Sequence, residues 1–337
     1  MMSPPLAWSI VFVLTAGLIL LLRKISLWTG FLLDNPHNNS KAGIHTYPVP
    51  SVGGIAVVIA VMIGIWLRYG RFEAWNHIPF YLTVLILMAV GIIDDTFIVN
   101  HRVKLVTQAA IAILTIGSGI VIQGVKLGPL QIAVAHPFDY FLTIFYVMGM
   151  INAINMIDGL DGLAGGTGVI ILTGVLIGSC LLQNTFPYML APFIIVALVA
   201  FLMFNFHPAK VFLGEVGSMF LGLTLAVLQI RGLTSGGYFY LGYAIIITAF
   251  PITDVLWSIV RRGKHYHERD LGHLHHRLYF NVFNKSQPKT VLTLWGINLL
   301  LLGIGVLTLL YYETLCIPIL LTGIVGVAII LYVLKRR

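Results

Sequence analysis

Short polar segments next to long apolar runs carry the side chains most suited to chemistry. Asp94 and Asp95 are adjacent at the end of one such run. Neighbouring carboxylates repel each other, so the pair favours a divalent cation or a raised pKa on one partner. Magnesium fits best, because it prefers a few carboxylates together with waters and substrate phosphates. The alternative interpretation is a helix cap or turn made of two aspartates.

A second apolar run ends in NAINMIDGLDGL, residues 152–163. Asn152, Asn155 and Asp158 are three residues apart and line one face if the helix continues, and Asp161 extends that stripe. Amides bind sugar hydroxyls, phosphate oxygens or a nucleobase edge without adding charge. Capping by Asp-Gly turns is the alternative, and it leaves the two asparagines unexplained.

Two further segments complete the polar set. FNFHPAKVFLGEVGS, residues 204–218, offers the carboxylate of Glu215 and the ring of Phe212, which suits base stacking although a lone Phe more often packs. HYHERDLGHLHHRL, residues 265–278, holds five of the eleven histidines. The histidines of this segment do not have the spacing of a zinc site, so we expect the segment to bind anionic phosphates and not zinc. Binding of anionic lipid headgroups is the alternative.

The rest of the chain is apolar enough to span a membrane many times. It has 337 residues, of which 58% are hydrophobic and 9% charged, and its mean hydropathy is +0.96. We predict an all-α integral membrane bundle of eleven transmembrane helices in one domain, 1–337, with a small hairpin at 124–137. The first helix is expected to be retained, and Cys180 and Cys316 to be buried thiols. The predicted membrane segments are 5–22, 52–68, 80–93, 103–123, 138–156, 163–183, 188–206, 216–230, 237–260, 292–311 and 315–334.

Basic residues predict how this bundle is oriented. All but four of the 20 Lys and Arg residues fall on one side of it, the exceptions being Arg68, Arg71, Lys126 and Arg231. The positive-inside rule then places the N-terminus outside and the C-terminus in the cytoplasm. The net charge of +8 is therefore a sign of membrane topology and does not indicate nucleic-acid binding.

Five loops on the predicted cytoplasmic side carry most of the polar groups: 23–51, 94–102, 157–162, 207–215 and 261–291. We expect these loops to form one site between the helices at the membrane interface. Asp254 lies within an apolar segment, where an acid should face the bundle or a wet cavity and pair with a base or support the site indirectly.

The motifs, and the order in which they follow one another along the chain, resemble those of the polyprenyl-phosphate N-acetylhexosamine-1-phosphate transferases. The resemblance spans about 30 to 280 and rests on DNP…K…H…P.P..GG, DD, R.K, NAINMIDGLDGLAGG, PAKVFLGE.GS and DLGHLHHRL. The HLHHR sequence is similar to the branch that starts teichoic acid, O-antigen (lipopolysaccharide) or enterobacterial common antigen synthesis. The muramoyl-pentapeptide branch has a TPTMGG-like stretch where this chain has VPSVGG. Glu215 stands where the family usually has Asp.

The resemblance implies a role for each matching residue. Asp94 and Asp95 would act at the phosphates through magnesium or as a base, and Glu215 would be a metal ligand. Asp158 and Asp161 are expected to be catalytic residues together with Asp94 and Asp95, and they would line the nucleotide pocket. The residues expected to bind substrate are Lys41, His45, Lys104, Asn152, Asn155, Lys210, Phe212, His273, His275, His276 and Arg277.

The implied reaction is transfer of N-acetylglucosamine-1-phosphate from UDP-N-acetylglucosamine to undecaprenyl phosphate at the cytoplasmic face of a bacterial inner membrane. Mg²⁺ is the expected cofactor, with Mn²⁺ as a substitute, and a homodimer is left open. Direct attack in one step is favoured over an aspartyl-phosphate intermediate. The alternatives are another UDP-N-acetylhexosamine or a transporter of a lipid-linked or anionic solute, although a transporter should show polar groups on both sides of a central pathway.

Overall fold

Helices make up most of the protein. The computed structural model describes residues 2–34, 47–69, 78–97, 99–262 and 272–311. The helices are α1 (Pro4–Thr29), α2 (Gly53–Tyr69), α3 (Ile78–Phe97), α4 (His101–Gly117), α5 (Phe138–Ile157), α6 (Leu163–Leu181), α7 (Ala191–Asn205), α8 (Gly214–Gly232), α9 (Leu241–Ile247), α10 (Ala249–Arg262), α11 (Leu274–Arg277) and α12 (Gln287–Leu310).

Every predicted membrane segment up to 292–311 contains helix, and 315–334 lies outside the described residues. Two predicted segments differ from the structure. α4 ends at Gly117, so 118–123 is not helical, and 237–260 is divided into α9 and α10, which meet at an angle of 80°. Within the described ranges, four helices are long and apolar enough to cross a membrane, or five if this bent pair is one span. These apolar helices fit an integral membrane protein.

Six short strands form two small sheets. The strands are β1 (Leu33–Asp34), β2 (Val49–Pro50), β3 (Gly124–Leu127), β4 (Leu130–Ala133), β5 (Thr234–Ser235) and β6 (Tyr238–Phe239). β1 and β2 pair antiparallel, and the other four strands form a sheet in the order β4-β3-β6-β5. β3 and β4 are antiparallel neighbours, which confirms the predicted hairpin at 124–137.

α8 is the central helix of the bundle. Every residue from Glu215 to Ile230 is buried, as expected for a helix that is apolar on all sides and packed within a bundle. Small residues bring its neighbours close. A Cβ on Gly222 would lie 2.5 Å from the Cα of Ile151, so α5 and α8 are in backbone contact there.

α5 and α8 connect two different ends of the molecule. The C-terminus of α5 and the N-terminus of α8 meet at one end, whereas β4 precedes α5 and β5 follows α8. Since α5 has 20 residues, the four-stranded sheet lies about 30 Å from the other end. Polar side chains concentrate at that other end, where the loops before α2, after α3, after α5 and before α8 converge.

Replacing Gly54 with Ala is expected to destabilise the protein by about 3 kcal/mol. A Cβ at Gly54 would lie 2.2 Å from the backbone nitrogen of Gly217, so only movement of α2 away from α8 can relieve the overlap. A lower Tm in detergent would report the loss. Gly296→Ala is the matched control because its Cβ would meet nothing within 4 Å. Equal Tm values for the two variants would contradict this account of the α2–α8 contact.

Candidate active site

A cavity of about 240 Å³ opens where the helix ends converge. Side chains from all five polar loops line it, including five carboxylates. The lining residues are Asp34, Ser51, Asp95, Asn155, Met156, Asp158, Gly159, Leu160, Asp161, Asn205, Phe212, Gly214, Glu215, Ser218, His273 and His276. So many acids beside amides and a stacking ring make a polar cavity suited to a cation and a phosphorylated ligand.

A compact charge cluster borders this cavity, and three of its members, Asp95, Asn155 and Glu215, line it. The Lys104 ammonium lies 2.5 Å from Asp94 Oδ2 and 3.5 Å from Glu215 Oε1. Asn155 donates a hydrogen bond of 2.8 Å to Glu215 Oε2. The backbone N–H of Glu215 donates to Asp95 Oδ2 at 2.9 Å. α3 therefore contributes two members of the cluster, and α4, α5 and α8 contribute one each.

Asp94 and Asp95 face different surroundings although they are adjacent. Asp95 lines the cavity, whereas Asp94 is buried and accepts a hydrogen bond of 2.7 Å from the Val99 N–H. Asp94 follows the predicted membrane segment 80–93. Burial and the nearby Glu215 raise the pKa of Asp94, and Lys104 and the Val99 N–H act in the opposite direction. Asp94 is thus placed to hold Lys104, and Asp95 to meet a ligand.

The segment before α8 is pinned to the start of α2. Phe212 N–H donates to the Pro50 carbonyl at 2.8 Å, and Gly53 N–H donates to the Phe212 carbonyl at 2.9 Å. Gly214 has a φ of +72°, and a Cβ there would lie 2.8 Å from Asp95 Oδ2. Glycine is required at this position because it alone permits both the left-handed backbone and the close carboxylate.

The row of polar side chains predicted along one helix face of NAINMIDGLDGL stops at the turn after α5. α5 ends at Ile157 and Asp158 is its C-cap, in agreement with the predicted segment 138–156 and loop 157–162. The helix therefore does not continue through Asp158, and the condition for a row that includes it is not met. Asp161 Oδ2 lies 2.8 Å from His207 Nδ1 and accepts from the Ala209 N–H at 3.1 Å. Asp161 thus ties the α5–α6 turn to the α7–α8 loop.

Asp254 of α10 anchors the histidine segment. Its Oδ2 lies 3.0 Å from His273 Nδ1 and 3.1 Å from His275 Nδ1, and its Oδ1 accepts from the Leu274 N–H. A carboxylate can only accept hydrogen bonds, so both Nδ1 atoms carry a hydrogen. These two hydrogen bonds fix the orientation of both imidazole rings. The three ligand atoms lie within 4.8 Å of one another, as in a metal site. Their separations are nevertheless hydrogen-bond lengths, and a hydrogen-bonded cluster explains them without an ion.

His276 completes the histidine wall beside Gly159. A Cβ at Gly159 would lie 2.7 Å from His275 Nε2 and 3.2 Å from His276 Nε2, so glycine lets the turn contact both rings. Burial lowers the pKa of His276 to about 3, with His275 and His273 acting in the same direction. The His276 ring is therefore neutral near pH 7 and would contact a phosphate by hydrogen bonding.

Some residues predicted from the sequence lie away from the cavity. Asn152 donates to the Gln108 side chain at 2.7 Å, Lys210 is exposed, and the Arg277 guanidinium lies over the Trp257 ring at 5.8 Å. Lys41 and His45 lie outside the described residues.

Four polar residues of the lining were not among the predicted site residues: Asp34, Ser51, Asn205 and Ser218. Asp34 belongs to the DNP motif, and that motif could have identified it as a site residue from the sequence. Asn205 accepts from the Gly162 N–H at 2.9 Å and donates to the Val211 carbonyl at 2.9 Å, so it joins two loops of the site. The pairing of Asn205 with Gly162 joins residues 43 apart in the chain, and no local sequence pattern indicated it.

The donor set of the charge cluster fits a hard divalent cation. Asp95 and Glu215 present carboxylate oxygens to the cavity, and Ser218 and Asn155 surround Glu215. Oxygen donors of this kind suit Mg²⁺ or Mn²⁺ better than softer ions.

Replacing Asp254 with Asn is expected to lower activity about 10–100-fold, as loss of a residue that orients an active-site ligand commonly does. An Asn amide accepts at one atom only, so it cannot serve both the two Nδ1 hydrogens and the Leu274 N–H, and the histidine segment would lose its fixed orientation. Initial rates and KM measured on folded protein separate this effect from unfolding. Asp139→Asn is the matched control, because Asp139 pairs with His136 at the far end of α5. A wild-type rate in Asp254→Asn would exclude the positioning role.

Comparison with known proteins gives a consistent result. Residues 77–233 match the family model described as glycosyl transferase family 4. A probable undecaprenyl-phosphate N-acetylglucosaminyl 1-phosphate transferase of Bacillus subtilis is 32% identical over 287 residues, covering 82% of this chain and 77% of the relative. Undecaprenyl-phosphate alpha-N-acetylglucosaminyl 1-phosphate transferases of Salmonella typhi and Thermotoga maritima are 31% and 30% identical. They cover 88% and 92% of this chain, and 81% and 93% of each relative.

Proposed function

The chain belongs to glycosyl transferase family 4, with undecaprenyl-phosphate N-acetylglucosaminyl 1-phosphate transferases among its relatives, and we propose that it catalyses the reaction in their name. The donor is UDP-N-acetylglucosamine and the acceptor is undecaprenyl phosphate. The products are undecaprenyl-diphospho-N-acetylglucosamine and UMP. The observation that carries the proposal is the cavity in which Asp95 and Glu215 lie beside the amide of Asn155 and the ring of Phe212.

Magnesium held by Asp95 and Glu215, with Asp94 behind them, would supply positive charge to the pyrophosphate and to the departing UMP. The side chains around it position the reactants. Asn155 holds Glu215 in place through its 2.8 Å hydrogen bond. Phe212 is the aromatic face available to uracil, and His276 is available to donate a hydrogen bond to a phosphate oxygen.

The proposed chemistry is a single displacement. An oxygen of undecaprenyl phosphate forms a bond to the β-phosphorus of UDP-N-acetylglucosamine, and the bond from that phosphorus to the α–β bridging oxygen breaks. UMP leaves with the electron pair of that bond. The acceptor phosphate is already anionic near neutral pH, so positioning and charge neutralisation supply most of the catalysis.

The structure favours this one-step route over an aspartyl-phosphate intermediate. Asp94 is buried and engaged by Lys104 and the Val99 N–H, and Asp95 accepts from the Glu215 N–H. Each carboxylate thus has at least one oxygen engaged by a donor of the protein itself. Trapping of a phosphorylated aspartate at either position in denatured enzyme would contradict the one-step route.

The sidedness of the reaction follows from the charge pattern. The cavity lies at the end of the bundle formed by the loops rich in Lys and Arg. By the positive-inside rule this end faces the cytoplasm, where nucleotide sugars are made. We therefore place the reaction at the cytoplasmic face of a bacterial inner membrane.

The proposal is tested by assaying purified protein with undecaprenyl phosphate, Mg²⁺ and a panel of UDP-sugars. UMP release is expected to be fastest with UDP-N-acetylglucosamine. Faster release with another UDP-N-acetylhexosamine would correct the donor, and no release with any of the sugars would overturn the proposed reaction.

A further inference from the structure

Lys104 lies between two carboxylates of the charge cluster. Its ammonium is 2.5 Å from Asp94 Oδ2 and 3.5 Å from Glu215 Oε1. The two acidic side chains are only 2% and 10% exposed, and that of Lys104 is 23% exposed. Acids this buried require a positive partner, because an unpaired buried charge is costly. Lys104 supplies that partner within the protein.

The position of Lys104 brings it into conflict with a divalent cation. Glu215 is a metal-binding residue in the proposed function, and the ammonium already lies near one of its oxygens. Two positive charges that share one carboxylate repel each other strongly where water is scarce. The second Glu215 oxygen accepts from Asn155 at 2.8 Å, which limits how far the carboxylate can turn away from Lys104.

We propose that Lys104, held by Asp94, competes with the divalent metal for the carboxylate of Glu215 and thereby weakens metal binding at this site. The inference rests on the metal-binding part of the proposed function. Asp94 holds the ammonium next to Glu215, so the pair Asp94–Lys104 sets how tightly the site holds a cation.

The competition also gives Lys104 a second partner during the reaction. With a metal on Glu215, the Lys104 ammonium would lose that contact, keep the one with Asp94, and could turn toward the cavity on its flexible four-carbon stem. An anionic phosphate group of the substrate is the ligand that suits a released ammonium. Loss of Lys104 should therefore tighten metal binding and slow transfer, two effects of opposite sign from one substitution.

The test is a titration of purified protein with Mn²⁺, followed by electron paramagnetic resonance without nucleotide or lipid. Lys104→Met is expected to bind Mn²⁺ about tenfold more tightly than wild type, since it removes one positive charge from the cluster. Lys104→Arg keeps the charge and should stay within about twofold of wild type. Arg102→Met removes a charge from an exposed position of the same helix, two residues away, and should also stay within about twofold.

Each outcome has a defined meaning. Unchanged or weaker Mn²⁺ binding in Lys104→Met overturns the competition, and weaker binding would indicate that Lys104 instead positions the carboxylates. Absence of Mn²⁺ binding in wild type contradicts the metal-binding part of the proposed function, which this titration separates from the competition because it requires no catalysis. If Lys104→Met does not fold, Lys104→Gln, which can still donate a hydrogen bond to Asp94, is titrated and judged by the same criteria.

Discussion

Replacing Asp95 with Asn is expected to lower the rate of transfer by about a thousandfold. Asp95 lines the cavity, and its Oδ2 accepts the backbone N–H of Glu215 at 2.9 Å. The Asn amide oxygen preserves that hydrogen bond and the side-chain shape but removes the charge available to a cation. The fold should therefore persist while catalysis is lost. Initial rates of UMP release, together with the Tm, measure both quantities.

Asp139→Asn provides the control for loss of a carboxylate elsewhere. It removes a buried acid near the four-stranded sheet and should keep a rate within about twofold of wild type, because it lies about 30 Å from the cavity along α5. A wild-type rate in Asp95→Asn would remove Asp95 from the site. A rate lost together with the fold would show instead that its bond to Glu215 is structural.

Glu215→Gln is expected to reduce transfer by about a thousandfold as well. The Gln amide oxygen still accepts the Asn155 hydrogen bond, which is 2.8 Å in the native protein, but the negative charge near Lys104 is gone. The matched variant is Glu215→Asp, which keeps the charge and moves the carboxylate by about 1.5 Å. Because this shift breaks the contact with Asn155, we expect an intermediate loss of about tenfold.

The two Glu215 variants separate charge from position. Rates are measured across a range of Mg²⁺ concentrations, since a displaced ligand should raise the Mg²⁺ needed for half-maximal rate more than it lowers the maximum. Equal rates for Glu215→Gln and wild type would show that the carboxylate charge is not used. A Glu215→Asp rate as low as that of Glu215→Gln would show that geometry dominates over charge.

Local patterns predicted much of the helical framework. Apolar runs marked the helices, and the alternation at 124–137 marked the β3–β4 hairpin. The break at Thr248, which divides the predicted segment 237–260 into α9 and α10, was missed. Pro251 in the first turn of α10 was the available signal, because a proline cannot donate the helical hydrogen bond to the carbonyl of Ile247, where α9 ends. The apolar composition, which continues on both sides, masked it.

Local sequence patterns did not predict the contacts between residues that are far apart in the chain. The sequence marked Asp254 as an unusual acid, and the structure identifies His273 and His275 as its partners. Asp161 and His207 are 46 residues apart and meet only because α6 and α7 return to the same end of the bundle. Asn152 shares the spacing of Asn155, but the packing of α4 against α5 pairs it with Gln108. Such contacts depend on how helices pack, and local spacing does not encode that packing.

The central claim is that a sugar together with its phosphate moves to the lipid. UDP-N-acetylglucosamine labelled with ³²P in the β-phosphate, incubated with purified protein, Mg²⁺ and undecaprenyl phosphate, tests it most directly. The account predicts that the label appears in the lipid extract and that the released nucleotide is unlabelled UMP. Label that remains in water-soluble UDP, with an unlabelled glycolipid, would mean that only the sugar is transferred and would contradict the account.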